Sequence, residues 1–343
     1  MIRYNNDYNH GAHPDIIRAF ADTNNNAYGG YGKDEWCESA KTEIKKYLGN
    51  VNADIHFVVG GTQANLIVIA SALRPFESVI SADSGHINVH ETGAVEATGH
   101  KVHALPSVNG KITAKQVDEV ASDFEESTVP EHITCPRMVY ISFPTEYGTV
   151  YSKSELCELS DVCKKHGLYL FIDGARLSYG LAAQGGDVTL EDIAKYADVF
   201  YIGGTKCGAM FGEAVVITND ALKPNFRSYM KQNGAMLAKG WTLGVQYYTL
   251  FKDGLYFEIA KKSIEYASRI KNAFLQKSIP MYIDSPTNQL FVVVDRATAD
   301  KLAEKYVYEL EGKLDDKLII RFCTAWSTEE CDVDSLVEDI GKL

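Results

Sequence analysis

From about residue 55 the chain alternates short apolar runs rich in β-branched and aromatic residues with longer stretches whose apolar positions recur at helical spacing. That is the pattern of parallel strands joined by helical crossovers. The apolar runs predict strands over His56–Val59, Ser78–Ser81, Lys101–Leu105, Met138–Phe143, Tyr169–Ile172, Val199–Ile202 and Ala214–Ile217. Between them, helices are predicted over Gln63–Leu73, Thr113–Glu126, Ser154–His166 and Thr189–Tyr196. The last three open on a Ser or Thr able to cap the first turn. Such helices would cover both faces of one large, mostly parallel seven-stranded sheet.

After Leu222 the pattern changes to longer helical runs through Gln276, among them Gly254–Leu275. Apolar runs at Asn288–Asp295 and Lys317–Thr324 then predict strands, and a helix near Asp332–Leu343 closes the chain. The expectation is an α/β protein with a large unit over residues 1–250, led by an N-terminal arm over 1–14, and a smaller α+β unit over 251–343. No repeat, low-complexity tract or Pro-rich linker marks the division.

Composition narrows the function classes. With 45% hydrophobic and 23% charged residues in 343, the chain can bury a sizeable core without a disulfide scaffold. A net charge of −12 argues against neutralising nucleic-acid phosphates or binding an anionic membrane. The longest apolar stretches, such as Leu66–Ala70, are far too short to span a bilayer. The N-terminus lacks a cationic segment followed by an apolar run, so the expected location is the cytoplasm. Seven cysteines, with Cys157 and Cys163 at a spacing that matches no redox or zinc motif, read as free thiols, and no metal site is expected.

The residues able to carry chemistry gather at predicted strand ends. Asp173 in Phe171-Ile172-Asp173-Gly174-Ala175-Arg176 and Lys206 in Gly203-Gly204-Thr205-Lys206 stand at or just beyond the C-terminal ends of apolar runs. Open α/β sheets bind ligands along that edge. A pyridoxal phosphate site requires such a pair: a lysine amine to hold the aldehyde, and a carboxylate to keep the ring nitrogen protonated so that the ring can draw electrons. Gly60-Gly61-Thr62-Gln63 leads from a strand into a helix and offers backbone amides and a hydroxyl to a phosphate. It has neither the GxGxxG spacing of a dinucleotide fold nor the lysine of a P-loop. His86, beyond Val79-Ile80 at the same edge, offers a ring to stack on a planar cofactor.

Taken in order, Asn6-Asp7, Tyr31-Gly32-Lys33-Asp34, Gly60-Gly61-Thr62-Gln63-Ala64-Asn65, His86, Asp173-Gly174-Ala175-Arg176-Leu177, Thr205-Lys206 and Ile320-Arg321 resemble the low-specificity threonine aldolases and the wider β-eliminating lyases. The resemblance spans nearly the whole chain and implies the aspartate-aminotransferase-like fold. It implies Gly61, Thr62, Gln63, His86, Asp173, Arg176 and Lys206 around the cofactor, and Asn6, Tyr31, Arg176 and Arg321 around the substrate. Arg321 would pair with the α-carboxylate, a task suited to a guanidinium fork. Two departures stand out. Asn6 occupies a position where the family usually has serine, and Pro144-Thr145-Glu146-Tyr147-Gly148 replaces a segment where many members carry histidine after threonine. His86, Glu146 or a water is therefore the expected base. The segment Arg227–Gly234 resembles the family's basic loop that reaches a neighbouring subunit's cofactor phosphate. A homodimer or homotetramer with its site at the subunit interface, Tyr31 crossing it, is thus implied.

The implied reaction is cleavage of a β-hydroxy-α-amino acid of the threonine, allo-threonine or phenylserine type to glycine and an aldehyde. β-Elimination and transamination use the same Lys206–Asp173 pair and are the nearest rivals. A non-catalytic binding protein that keeps the fold is disfavoured by the presence of Lys206, Asp173 and the glycine cup together. A nicotinamide dehydrogenase lacks its fingerprint here.

Overall fold

The structure is a computed structural model and describes residues 1–343. All seven predicted strands join one sheet. In chain order they are β1 (Asp54–Val58), β2 (Glu77–Ala82), β3 (Lys101–Leu105), β4 (Cys135–Ser142), β5 (Tyr169–Asp173), β6 (Val199–Gly203) and β7 (Glu213–Ile217). Laterally they run β1-β7-β6-β5-β4-β2-β3. The pairs from β6 to β3 are parallel, while β7 is antiparallel to both its neighbours. Leu170, Phe171 and Ile172 in β5 are all buried, because helices cover both faces and leave no side for polar alternation.

Local chemistry sets the covering helices. Thr113 with Gln116, Ser152 with Glu155 and Thr189 with Asp192 each form a reciprocal cap that satisfies orphan amides of the first turn. The resulting helices, Ala114–Glu125, Lys153–His166 and Leu190–Tyr196, fall within a residue of the sequence expectation. Gly167, at φ 64°, ends the second of them in a left-handed turn that a side chain would strain. Two further helices, Pro14–Thr23 and Glu35–Lys45, lie ahead of the region where the strand pattern begins, and both pack on Trp241–Phe251.

The reversal of β7 has a direct consequence for the ligand edge. A strand running against its neighbours enters where they leave, so Glu213, its first residue, sits opposite Val58 and Gly203, the last residues of β1 and β6.

A second sheet holds β8 (Met281–Ile283), β9 (Gln289–Val294), β10 (Glu309–Leu314) and β11 (Lys317–Cys323) in the antiparallel order β10-β11-β9-β8. Ile270 and Phe274 of helix Leu255–Gln276 and Val333 and Leu336 of helix Glu330–Gly341 pack with Leu290, Val292, Ile320 and Phe322 in its core. The register between β10 and β11 shifts between Leu310 and Gly312, which makes Glu311 the extra residue of a β-bulge. The N-terminal arm, expected to lead the large unit, packs instead on this second core. Ile2–Arg3 pairs in parallel with Tyr306–Val307, and Tyr4 is buried among the same apolar residues. No helix is long and apolar enough to cross a membrane.

Candidate active site

The ends of β1, β2, β4, β5 and β6 and the start of β7 surround a cavity of about 280 Å³. Gly61, Thr62, His86, Glu146, Asp173, Arg176 and Lys206 of the expected set line it. So does Glu213, which the sequence did not single out.

Asp173 is the most heavily supported group. Its carboxylate accepts hydrogen bonds from the Tyr140 hydroxyl (2.6 Å), the Tyr201 hydroxyl (2.5 Å), Asn65 Nδ2 (3.0 Å) and the Ala175 amide (2.9 Å). Burial pushes its pKa up, but the facing His86 ring and these donors outweigh burial and hold it below the usual carboxylate range. Asp173 is therefore a fixed negative charge on the floor of the cavity. Asn65 also donates to Glu91 Oε1 (2.7 Å), which lies 2.8 Å from His86 Nδ1. A carboxylate can only accept, so Nδ1 carries the proton and the His86 ring is locked in one orientation.

Lys206 follows the last residue of β6 by three positions, and the Tyr179 hydroxyl holds its carbonyl (2.8 Å). Burial and the nearby Arg176 charge lower its pKa against the pull of Asp7, Asp173 and Glu213. A lysine so perturbed has more of the neutral amine that attacks an aldehyde.

Glu213 clamps the turn that carries this lysine. Its oxygens accept from the Gly204 amide (3.0 Å) and the Thr205 hydroxyl (2.9 Å). Burial pushes its carboxyl up to about 8, against the lowering effect of these two donors and of Lys206. The unfolded chain loses this proton near the ordinary carboxylate value while the folded chain keeps it. The stabilisation is therefore full in acid and is lost as pH rises towards about 8. The wild-type melting temperature is expected to fall relative to Glu213→Gln as pH is raised across that window, and parallel curves for the two proteins would refute the assignment.

The glycine pair starts helix Gly61–Ala72 with Gly60 as an extended N-cap residue that provides no side-chain cap. The first-turn amides of such a helix have no intrahelical partner and suit an anion. The side chain of Gln63 is occupied elsewhere: it accepts from the Val59 amide (3.1 Å) and donates to the Asn233 carbonyl (3.1 Å). Only its backbone amide is available to a ligand.

Of the remaining expected residues, Arg176 lines the cavity, while Asn6, Tyr31 and Arg321 lie apart from it. Arg176 is engaged by Asp7 in a two-toothed pair, Nε to Oδ2 at 2.7 Å and Nη2 to Oδ1 at 3.0 Å. Asn6 accepts from the Tyr8 amide (3.0 Å) and borders a separate cleft beside His10 and Trp326. Tyr31 is exposed under the Lys231 ammonium (4.6 Å to the ring), and its carbonyl accepts from Arg227. Arg321 pairs with Glu311 (2.8 Å) and donates to the Asn5 carbonyl (3.1 Å).

These donors fit pyridoxal phosphate: a buried, ionised carboxylate for the ring nitrogen, a lysine with a depressed pKa, an oriented ring, and uncapped helix amides for the phosphate. A family model described as "Beta-eliminating lyase" matches residues 16–297. The chain belongs to the β-eliminating lyase family. A solved structure from Leishmania major, described as a threonine aldolase, is 44% identical to this lyase with a TM-score of 0.97, covering 100% of this chain and 99% of that one. The low-specificity L-threonine aldolase of Pseudomonas sp. (strain NCIMB 10558) is 29% identical, with 97% of this lyase and 95% of the relative covered. An aspartate aminotransferase from Thermus thermophilus shares the fold alone, at 13% identity and a TM-score of 0.72. The lyase thus has the aminotransferase-like fold expected from its sequence.

Proposed function

We propose that this lyase uses pyridoxal phosphate to cleave a β-hydroxy-α-amino acid, of the threonine, allo-threonine or phenylserine type, into glycine and an aldehyde. The observation that carries the reading is the pairing of Lys206 with an Asp173 carboxylate held ionised by its donors in one cavity. The threonine aldolases reported above support it. Bound there, the cofactor supplies an electron sink for the pair released when the Cα–Cβ bond breaks.

In this reading the chain's own groups have separate tasks. Lys206 holds the cofactor's aldehyde, Asp173 accepts the ring N–H, and His86, fixed by Glu91, stacks on the ring. The amides of Gly61, Thr62 and Gln63 and the Thr62 hydroxyl hold the phosphate, and Arg176 reaches the cofactor or, with Arg321, the substrate's carboxylate. Arg321 receives the α-carboxylate, with Asn6 and Tyr31 at the substrate's approach. Glu146 takes the β-hydroxyl proton. Its Oε1 accepts from the His86 amide (2.9 Å) and Ser142 (2.6 Å), and burial raises its pKa towards the range in which a carboxylate is an effective base.

The cofactor-binding unit covers 1–250 and the smaller unit 251–343. Tyr31 and Lys231, exposed together, support a homodimer or homotetramer in which they meet a second copy of the chain. Seven free cysteines support action in the cytoplasm.

The test is product analysis of the cofactor-loaded protein with L-threonine, L-allo-threonine and phenylserine. Glycine and the matching aldehyde are expected in equal amounts. A 2-oxo acid with ammonia would move the reading to elimination, and a new amino acid would move it to transamination.

A further inference from the structure

We infer that Glu311 is a positioning residue for Arg321, holding its guanidinium so that the buried Nε–H faces the substrate's α-carboxylate. The inference rests on the reading of Arg321 given above. Arg321 lies in β11 among Leu318, Ile319, Ile320 and Phe322, all buried and apolar, so its charge needs defined partners. Its donors form a planar fork, and two arms are already held: Nη1 by Glu311 Oε1 at 2.8 Å and Nη2 by the Asn5 carbonyl at 3.1 Å. The remaining Nε is buried and has no partner. A buried donor without an acceptor is costly unless something completes it, and a carboxylate is the natural complement of an arginine edge.

Strand geometry explains why Glu311 does the holding. Regular pairing sets Glu309, not Glu311, directly opposite Arg321. Glu311 is the extra residue of the bulge, so its direction is set by the bulge rather than by strand alternation. The pair is within electrostatic reach of the cavity's edge. His90, whose ring is 5.5 Å from that of His86, is influenced by both Arg321 and Glu311. With Glu311 partly exposed, the pair contributes little to stability, and its effect is on where the guanidinium points.

The experiment compares wild type, Glu311→Ala, Glu311→Gln and Arg321→Ala as cofactor-loaded proteins. It reads KM and kcat for L-allo-threonine, and the dissociation constant of glycine from the visible spectrum. Arg321→Ala is expected to raise KM and the glycine constant roughly a hundredfold, as loss of a charge-assisted contact to a buried carboxylate should. Glu311→Ala is expected to raise both roughly tenfold, Glu311→Gln less, with kcat within about twofold and the visible band retained. Unchanged KM and glycine binding in Glu311→Ala, beside a clear loss in Arg321→Ala, overturn the inference and leave the reading of Arg321 standing. Tighter binding in Glu311→Ala also overturns it, since Glu311 would then compete with substrate for the fork. If Arg321→Ala itself leaves both constants unchanged, the reading of Arg321 fails and the inference with it.

Discussion

Lys206→Ala abolishes the visible absorbance of the cofactor-loaded protein and lowers its aldehyde-releasing turnover by on the order of 10³-fold or more. The expectation follows from three features of the site. Burial and Arg176 depress the Lys206 pKa, so its amine is available to bond an aldehyde. Tyr179 and Glu213 fix the turn that aims the side chain into the cavity. No other lysine lines that cavity, so no neighbouring amine can substitute. Absorbance spectra of the two proteins, followed by an aldehyde assay, read both effects. A Lys206→Ala protein that keeps the band and turns over would overturn the cofactor assignment and everything built on it.

The largest stability effect is expected from breaking the pair between Asp7 and Arg176. Both side chains are deep in the structure, and Asp7 also accepts from Asn288 Nδ2 (2.9 Å). Removing one partner of a buried, hydrogen-bonded pair leaves the other charge uncompensated, at a cost of about 3–5 kcal/mol. Arg176→Ala should therefore shift the urea midpoint strongly. Asp7→Asn with Arg176→Ala should lose less than the sum of the single losses, because neither charge is then stranded. Burial raises the Asp7 pKa, but Arg176 and Lys206 bring it below its ordinary value. The pair's contribution is thus present above the ordinary aspartate pKa and is lost as pH falls through the folded value. A loss of under about 1 kcal/mol for Arg176→Ala would mean that solvent reaches the pair.

Much of this architecture is legible in the chain. The buried strands of the large sheet announce themselves because both faces need apolar side chains, and their flanking helices carry Ser and Thr caps. Strand β10 does not, since Glu309, Glu311 and Lys313 alternate with exposed Leu310 and Leu314 and no face is buried. Its hairpin is held by ladder hydrogen bonds, which leave little mark on composition. In the site, Asp173 and Lys206 are visible as charges ending apolar runs. Tyr140 and Tyr201 are not, because a tyrosine inside an apolar strand reads as core until its hydroxyl is seen to reach Asp173. Glu213 escapes a search of strand C-termini because its strand runs backwards and it stands at the start. Arg176, expected at the cofactor or substrate, has its fork filled by Asp7 from the arm, a partner 169 positions away that no local pattern reveals.

The arm also bears on the order in which the molecule assembles. Asp7 meets Asn288 across 281 positions, and Asn5 meets Arg321 across 316. Asn5 and Asp7 must wait for residues synthesised much later before they find these partners. Contacts of such long sequence separation close late, because the entropy of a large loop must be overcome before they form. The seven-stranded sheet can be largely built while Arg176 still lacks Asp7, so the pocket reaches its final geometry only when the arm has docked.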